Sequence, residues 1–303
     1  MRRAKVQEQS QGVGRDPRPG ATPARRVQPQ EPPGREEELR PRADHGEESY
    51  RGSGQLQGLA TIITGGDSGI GAAVAIAFAR EGADVTICYL AGEERDDAEW
   101  VRGWVEEAGR RCLVERCDVG DPAQAERLVE RAVGEFGRLD VLVNNAAYQC
   151  ERDSLGDTPV EQIEKTFRTN ILGYIYTARA ALPYLGPGGV ILNTGSVTAL
   201  EGNAGLIDYS ATKGAIHTFT KSLAMSVAER GIRVNCVAPG PVWTPLIPST
   251  LSPEHVARFG RDTAWGRPAQ PAEIAPSYVF FASPGARYYT GEILAPTGKA
   301  TTR

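Results

Sequence analysis

From residue 59 onward the chain alternates two hydrophobic periods. Residues 59–63 form a short, nearly continuous apolar run, the pattern of a strand buried on both faces. Residues 70–81 then carry apolar side chains at helical spacing, ended by Gly82. The alternation continues as strand 84–89, helix 93–108, strand 112–116 and helix 122–136, where Pro122 suits a first helical turn. Strand 140–143, a long helix 160–185, strand 190–194, helix 208–229 and strand 233–237 follow. Helix 272–282 and strand 292–295 close the pattern. Strands alternating with helices of this length predict a parallel sheet covered on both faces, with roughly seven strands. The pattern never pauses after residue 59, so the expected fold class is α/β in a single doubly wound domain.

Residues 1–54 break this pattern. They hold about a third of the 21 prolines, with many Arg, Glu, Gln and Gly. Such a mixture buries too little apolar surface to offset the cost of ordering it, which predicts disorder over residues 1–40. Tyr50 sits among turn formers, in a stretch that reads either as a docking element or as a solvated linker. The expected division is therefore an extension over 1–54, disordered or docking on a partner, and a folded domain over 55–303.

Composition excludes several function classes. With 40% hydrophobic and 24% charged residues the chain is ordinary for a globular protein, and its net charge of −4 offers no footprint for nucleic acid. No run of about 18 apolar residues predicts a membrane span. Arg2, Arg3 and Lys5 are not followed by an apolar segment, so no secretory signal is read and a cytoplasmic location is expected. The five cysteines are scattered and lack a C-x-x-C pair, which speaks against a disulfide framework or a zinc site. None of the three histidines has a metal spacing, and His217, on a predicted helix, reads as packing.

Candidate chemistry begins at Thr64-Gly-Gly-Asp-Ser-Gly-Ile-Gly71, between the first strand and the first helix. Glycines there permit a tight turn and close approach of backbone N–H groups to a pyrophosphate, and the helix N-terminus adds its positive end. The carboxylate that favours NAD is expected about 20 residues further on. Leu90 occupies that place, with Glu93 and Glu94 within reach of a ribose and Arg95 suited to a 2′-phosphate. The cofactor reading is NADP or NAD, leaning slightly to NADP.

Tyr209 and Lys213 stand at i and i+4 on one predicted helix, hence on one face. A phenol of pKa about 10 needs roughly 3–4 kcal/mol of differential stabilisation to fall by two to three units. A nearby ammonium, aided by an oxidised nicotinamide, is a source of that stabilisation. Tyr209 would then exchange a proton with a carbonyl or alcohol. Ser196 follows the strand at 190–194, and the carboxyl ends of parallel strands are where ligands bind.

With these motifs in this order, the chain resembles the short-chain dehydrogenase/reductase family over residues 56–298, and narrows to a bacterial subgroup with an N-terminal extension, the general-stress oxidoreductases or aldehyde reductases. The resemblance implies a Rossmann-type NAD(P)-binding domain and a homotetramer built on the helices at 160–185 and 208–229 and on the C-terminal region. It implies catalytic roles for Ser196, Tyr209, Lys213 and Asn170, the last holding a water in a proton relay with the lysine. Cofactor contacts would come from Gly65, Asp67, Ser68, Gly69, Ile70, Tyr89, Leu90, Asp118, Val119, Asn145, Ala146, Lys213, Pro239, Gly240, Val242 and Thr244. Asp118 would meet the adenine, and Val242 and Thr244 the nicotinamide carboxamide. Lys299 departs from the pattern, standing where relatives have a glycine.

The expected activity is interconversion of a carbonyl and an alcohol on a small-molecule substrate. The segment at 244–268, rich in Pro, Leu, Ile and Trp, suits a small or medium aldehyde, ketone or polyol. The alternative is a catalytically silent protein of the same fold that senses NAD(P) and regulates a partner through its charged tail.

Overall fold

Alternate residues of each predicted strand face opposite layers of one sheet in the computed structural model, which describes residues 29–299. The strands are β1 (Ala60–Thr64), β2 (Asp84–Tyr89), β3 (Cys112–Arg116), β4 (Val141–Asn144), β5 (Val190–Thr194), β6 (Arg233–Val237) and β7 (Ile293–Leu294). They pair in the order 3-2-1-4-5-6-7 and every neighbouring pair is parallel. The helices are α1 (Gly69–Arg80), α2 (Arg95–Glu107), α3 (Pro122–Phe136), α4 (Val160–Phe167), α5 (Gly173–Ala181), α6 (Thr198–Glu201), α7 (Ile207–Val227), α8 (Leu246–Thr250), α9 (Pro253–Val256) and α10 (Pro271–Ala282). Ile63, Val85, Ile87 and Val143 pack under α1, α2 and α10, while Ile62, Leu142, Ile191 and Val234 pack under α3, α5 and α7. A sheet buried on both faces explains why its strands read as apolar runs. The chain reverses its build-up direction between β1 and β4, which opens a crevice at the carboxyl ends of the strands. No helix among the described residues is long and apolar enough to cross a membrane.

The helix expected over 160–185 is interrupted. A π-helical turn, Arg168–Leu172, separates α4 from α5, with Gly173 N–H bonded back to Arg168 O. Asn170 lies in this turn and is buried. The extra residue turns its side chain toward the loop after β4, a use of π turns common at functional sites.

The expected disorder over residues 1–40 does not hold for 29–40; residues 1–28 lie outside the described part. Leu39 and Ala43 pack with Trp243, Ile247 and Val256 in a small satellite core. The backbone of this segment finds partners as well: Pro41 O accepts from Trp243 Nε1 at 2.8 Å, and Asp44 O from Ala272 N at 2.9 Å. Arg80 Nη1 donates to Gly46 O and Tyr50 O, and the Tyr50 hydroxyl donates to Glu81 at 2.6 Å. The segment's few apolar residues suffice because the body supplies the surface that covers them.

Candidate active site

The glycine-rich turn joins β1 to α1, and its glycines are there for space. A Cβ on Gly71 would lie 1.9 Å from Gly65 O, a backbone atom that has nowhere to go. Gly69 has φ +51°, and a Cβ there would meet Thr244 Cγ2 at 2.9 Å. Asn145, at the end of β4, braces the turn: its Nδ2 donates to Thr64 O at 3.1 Å and to Gly65 O at 2.9 Å. Thr64 Oγ1 accepts in return from the backbone N–H groups of Asn145 and Ala146 at 2.9 and 3.1 Å.

Above this turn a cavity of about 690 Å3 opens at the carboxyl ends of the strands, within the roughly 300–1,000 Å3 range of ligand sites. Every residue of the expected cofactor set lines it, from Gly65 through Asp118 and Asn145 to Thr244, and so do Ser196, Tyr209 and Lys213. Asn170 does not. At the end of β2, Glu94 lines the cavity and accepts from Leu90 N at 3.0 Å and Ala91 N at 2.7 Å. Burial raises its pKa, and burial together with the charge of Glu94 raises that of Asp67. Arg95 is exposed and outside the lining. A tight glycine turn at a helix N-terminus, leading along one cavity to a serine, a tyrosine and a lysine, fits a nicotinamide dinucleotide.

At the far end β5 delivers Ser196 and α7 delivers Tyr209 and Lys213. Lys213 is fully buried; its Nζ donates to Thr194 O at 2.7 Å and lies 5.3 Å from the centre of the Tyr209 ring. Burial pushes the ammonium pKa down to about 8. Burial pushes the Tyr209 phenol up to about 12, opposed by its hydrogen bond with Ser196. The expected depression draws on the lysine and an oxidised nicotinamide together; with Lys213 by itself the phenol stays above its ordinary value. Lys213 is bound to a carbonyl and is itself desolvated, so it does not overcome the cost of burying a phenolate.

Asn170 lies outside the cavity lining, and its side-chain groups bond to protein. Its Oδ1 accepts from Tyr148 N at 2.7 Å; its Nδ2 donates to Tyr148 O at 2.8 Å and to Thr212 Oγ1 at 3.1 Å. The side chain clasps the loop after β4 to α7, and all its N–H donors are in use. His217 is packed against Gly195, and burial, with the charges of Lys213 and Lys221, lowers its pKa to about 4.

Several residues at the cavity escaped the sequence reading. Thr198 donates to Ser196 Oγ from both its backbone N–H, at 3.1 Å, and its hydroxyl, at 3.0 Å. Glu201 pairs with Lys299 at the cavity edge, and Glu151 pairs with His255 and accepts from Ser252 N at 2.9 Å. Pro32, Pro33 and Gly34 of the extension also line the cavity. Only the Ser-x-Thr spacing of the first was visible as a pattern; the others come from segments distant in sequence.

Comparison with known proteins agrees with this geometry. Residues 65–298 match the family model described as enoyl-(acyl carrier protein) reductase. The chain is 53% identical over 266 residues to the uncharacterized oxidoreductase YhdF of Bacillus subtilis (strain 168), covering 88% of this chain and 91% of that protein. It is 44% identical over 273 residues to NADPH-dependent aldehyde reductase 1, chloroplastic, of Arabidopsis thaliana, covering 88% and 95%. A short-chain dehydrogenase from Burkholderia cenocepacia J2315, solved in complex with NADP, superposes with a TM-score of 0.76 at 35% identity, covering 81% of this chain and 99% of that one. The chain belongs to the short-chain dehydrogenase/reductase family. It is an NAD(P)-dependent oxidoreductase.

Proposed function

We propose that the enzyme interconverts a carbonyl compound, an aldehyde or ketone, and the corresponding alcohol, with Tyr209 as the proton donor and acceptor. The observation that carries this reading is the convergence of Ser196, Tyr209 and Lys213 on one end of the cavity whose other end is the glycine-rich turn. Bound NAD(P) supplies or takes the hydride. A phenol held near pKa 12 stays protonated at neutral pH, the state required to protonate the oxygen of a carbonyl under reduction. Ser196 Oγ accepts from two Thr198 donors, so its own proton is the one it shares with Tyr209 and would turn to the same oxygen when substrate binds. Lys213, fixed on Thr194 O, sets a positive charge behind the phenol. In alcohol oxidation this charge, with that of the oxidised nicotinamide, favours the phenolate.

The homotetramer implied by family resemblance has support in exposed apolar side chains. Phe167, Leu172, Ile175 and Met225, on α4, the π turn, α5 and α7, are all exposed, as a contact face between copies built on these helices would require. Light scattering at several concentrations tests it.

The deciding experiment is Tyr209→Phe assayed on a panel of aldehydes, ketones and polyols with NADH and NADPH. Loss of a general acid lowers turnover by roughly 10²–10⁴-fold, and cofactor binding is expected to survive. Turnover within tenfold of the parent enzyme refutes the role of Tyr209. A parent enzyme that binds NAD(P)H yet turns over no member of the panel favours the sensing alternative.

A further inference from the structure

The extension reaches the floor of the cofactor cavity, and one of its side chains completes a helix end that the glycine-rich turn leaves open. A helix begins with four N–H groups that have no partner within it. Ser68, the N-cap of α1, makes no side-chain bond to them. Gly69 N–H instead donates to Oε2 of Glu36 at 2.9 Å, a residue 33 positions upstream. Glu36 is buried and tied from two more sides. Its own N–H donates to Asp97 Oδ2 at 2.7 Å, Glu37 N–H donates to Asp97 Oδ1 at 3.3 Å, and its Oε2 lies 3.1 Å from His45 Nε2. Burial works against a charged His45, but the Glu36 carboxylate beside it raises its pKa above the ordinary value.

The same strap holds the segment that follows β6. Gln30 N–H donates to Pro248 O at 3.1 Å, and Gly34 runs so close beneath Pro245 that a Cβ would come within 2.4 Å of its carbonyl oxygen. Gly69 is thus pinned between Glu36 on one side and Thr244 on the other. Residues 29–45 tie together the glycine-rich turn, the start of α2 and the segment at 243–250.

We infer that Glu36 is a positioning residue for the cofactor: it locks the turn at residues 65–69 so that its other N–H groups are set for the dinucleotide before binding. This inference rests on the reading of the cavity as the NAD(P) site. A carboxylate at a helix N-terminus is favoured by the helix dipole, and the partner His45 offsets the negative charge that it brings near bound phosphates. Binding to a turn already fixed avoids the entropic cost of ordering it.

The test uses full-length Glu36→Ala and Glu36→Gln, with NADH and NADPH titrated by nucleotide fluorescence and with KM and kcat measured separately. Glu36→Ala is expected to weaken binding of the preferred cofactor about tenfold, equivalent to about 1.4 kcal/mol, raising its KM while kcat stays within twofold. Glu36→Gln keeps an acceptor oxygen for Gly69 and should recover most of the affinity. An Ala variant within twofold of the parent, or binding more tightly, overturns the inference, as does a Gln variant as weak as Ala. A parent protein that binds neither nucleotide refutes the cofactor reading itself and is thereby told apart from these outcomes. Thermal unfolding of both variants, each saturated and free of nucleotide, reports whether a loss of fold underlies the change. If the Ala variant does not fold, the Gln variant's KM decides: more than threefold above the parent overturns the inference, and parent-like values support it.

Discussion

Replacing Asn170 with alanine separates a structural clasp from a proton relay. The side chain is fully buried and makes three hydrogen bonds, two of them to the backbone of Tyr148. Without it, the Tyr148 N–H and C=O lose these partners in a half-buried loop. Thr212 loses a donor but keeps its own bond to Tyr209 O at 2.7 Å. An orphaned buried polar group costs about 1–3 kcal/mol, so two cost about 2–6 kcal/mol against a total stability of about 5–15 kcal/mol. For a domain of this size each kcal/mol moves the melting temperature by about 2–4 °C. Asn170→Ala is therefore expected to unfold at least about 4 °C below the parent in a thermal scan and to lose that stability in urea titrations as well. Asn170→Asp keeps the acceptor for Tyr148 N but sets a second oxygen against Tyr148 O, and should be no better at neutral pH. Turnover falls in both because the loop after β4 carries Asn145 and Ala146 into the cavity. A variant within about 0.5 kcal/mol of the parent, the ordinary range for a change that breaks nothing, but with kcat abolished would refute the clasp and leave a relay as the side chain's role.

The buried Lys213 costs stability in its charged form. A pKa lowered from 10.5 to about 8 by burial is about 3 kcal/mol of strain against the charged form. That cost is fully present below pH 8 and disappears as pH rises toward 10.5, so Lys213→Met should melt higher than the parent at pH 7, lose the difference by pH 10 and be inactive; a variant that melts lower at pH 7 contradicts this. Glu81 anchors the extension through the Tyr50 hydroxyl and the N–H groups of Ser53 and Gln55. Burial opposes its ionisation, yet these donors hold its pKa below the ordinary carboxylate value. It thus adds stability at neutral pH that is lost as the medium is acidified below the usual carboxylate range. Glu81→Ala should expose residues 46–55 to protease, and unchanged cleavage kinetics would count against the anchor. Gly71→Ala, with its Cβ 1.9 Å from Gly65 O, should abolish nucleotide binding, and parent-like affinity in a fluorescence titration would show that the turn can yield.

The strands were legible because a sheet covered on both faces demands apolar residues at both parities, and β2, β3, β5 and β6 fall on the residues expected. The site was legible for a related reason: its groups sit at strand ends and at i, i+4 on α7, where spacing alone fixes their neighbours. Neither argument reaches a feature decided by distant partners. Arg168-Thr-Asn-Ile-Leu172 contains nothing that breaks a helix; its π turn is decided by what Asn170 meets on the loop after β4 and on α7. Spacing likewise places Lys213 beside Tyr209 but says nothing about how dry the pair is, and burial is what raises the phenol. The extension is the sharpest case. Its composition is that of a chain unable to bury itself, and by itself residues 29–45 would have little core. Trp243, Ile247 and Val256 provide one, and Gly69 N–H and Asp97 provide partners for polar groups that a solvated tail would leave to water. Composition measures what a segment can bury against itself, so it fails wherever the body offers an unfilled groove. Such a groove, next to a glycine-rich turn whose helix has no cap of its own, is where an extension can acquire a role in binding.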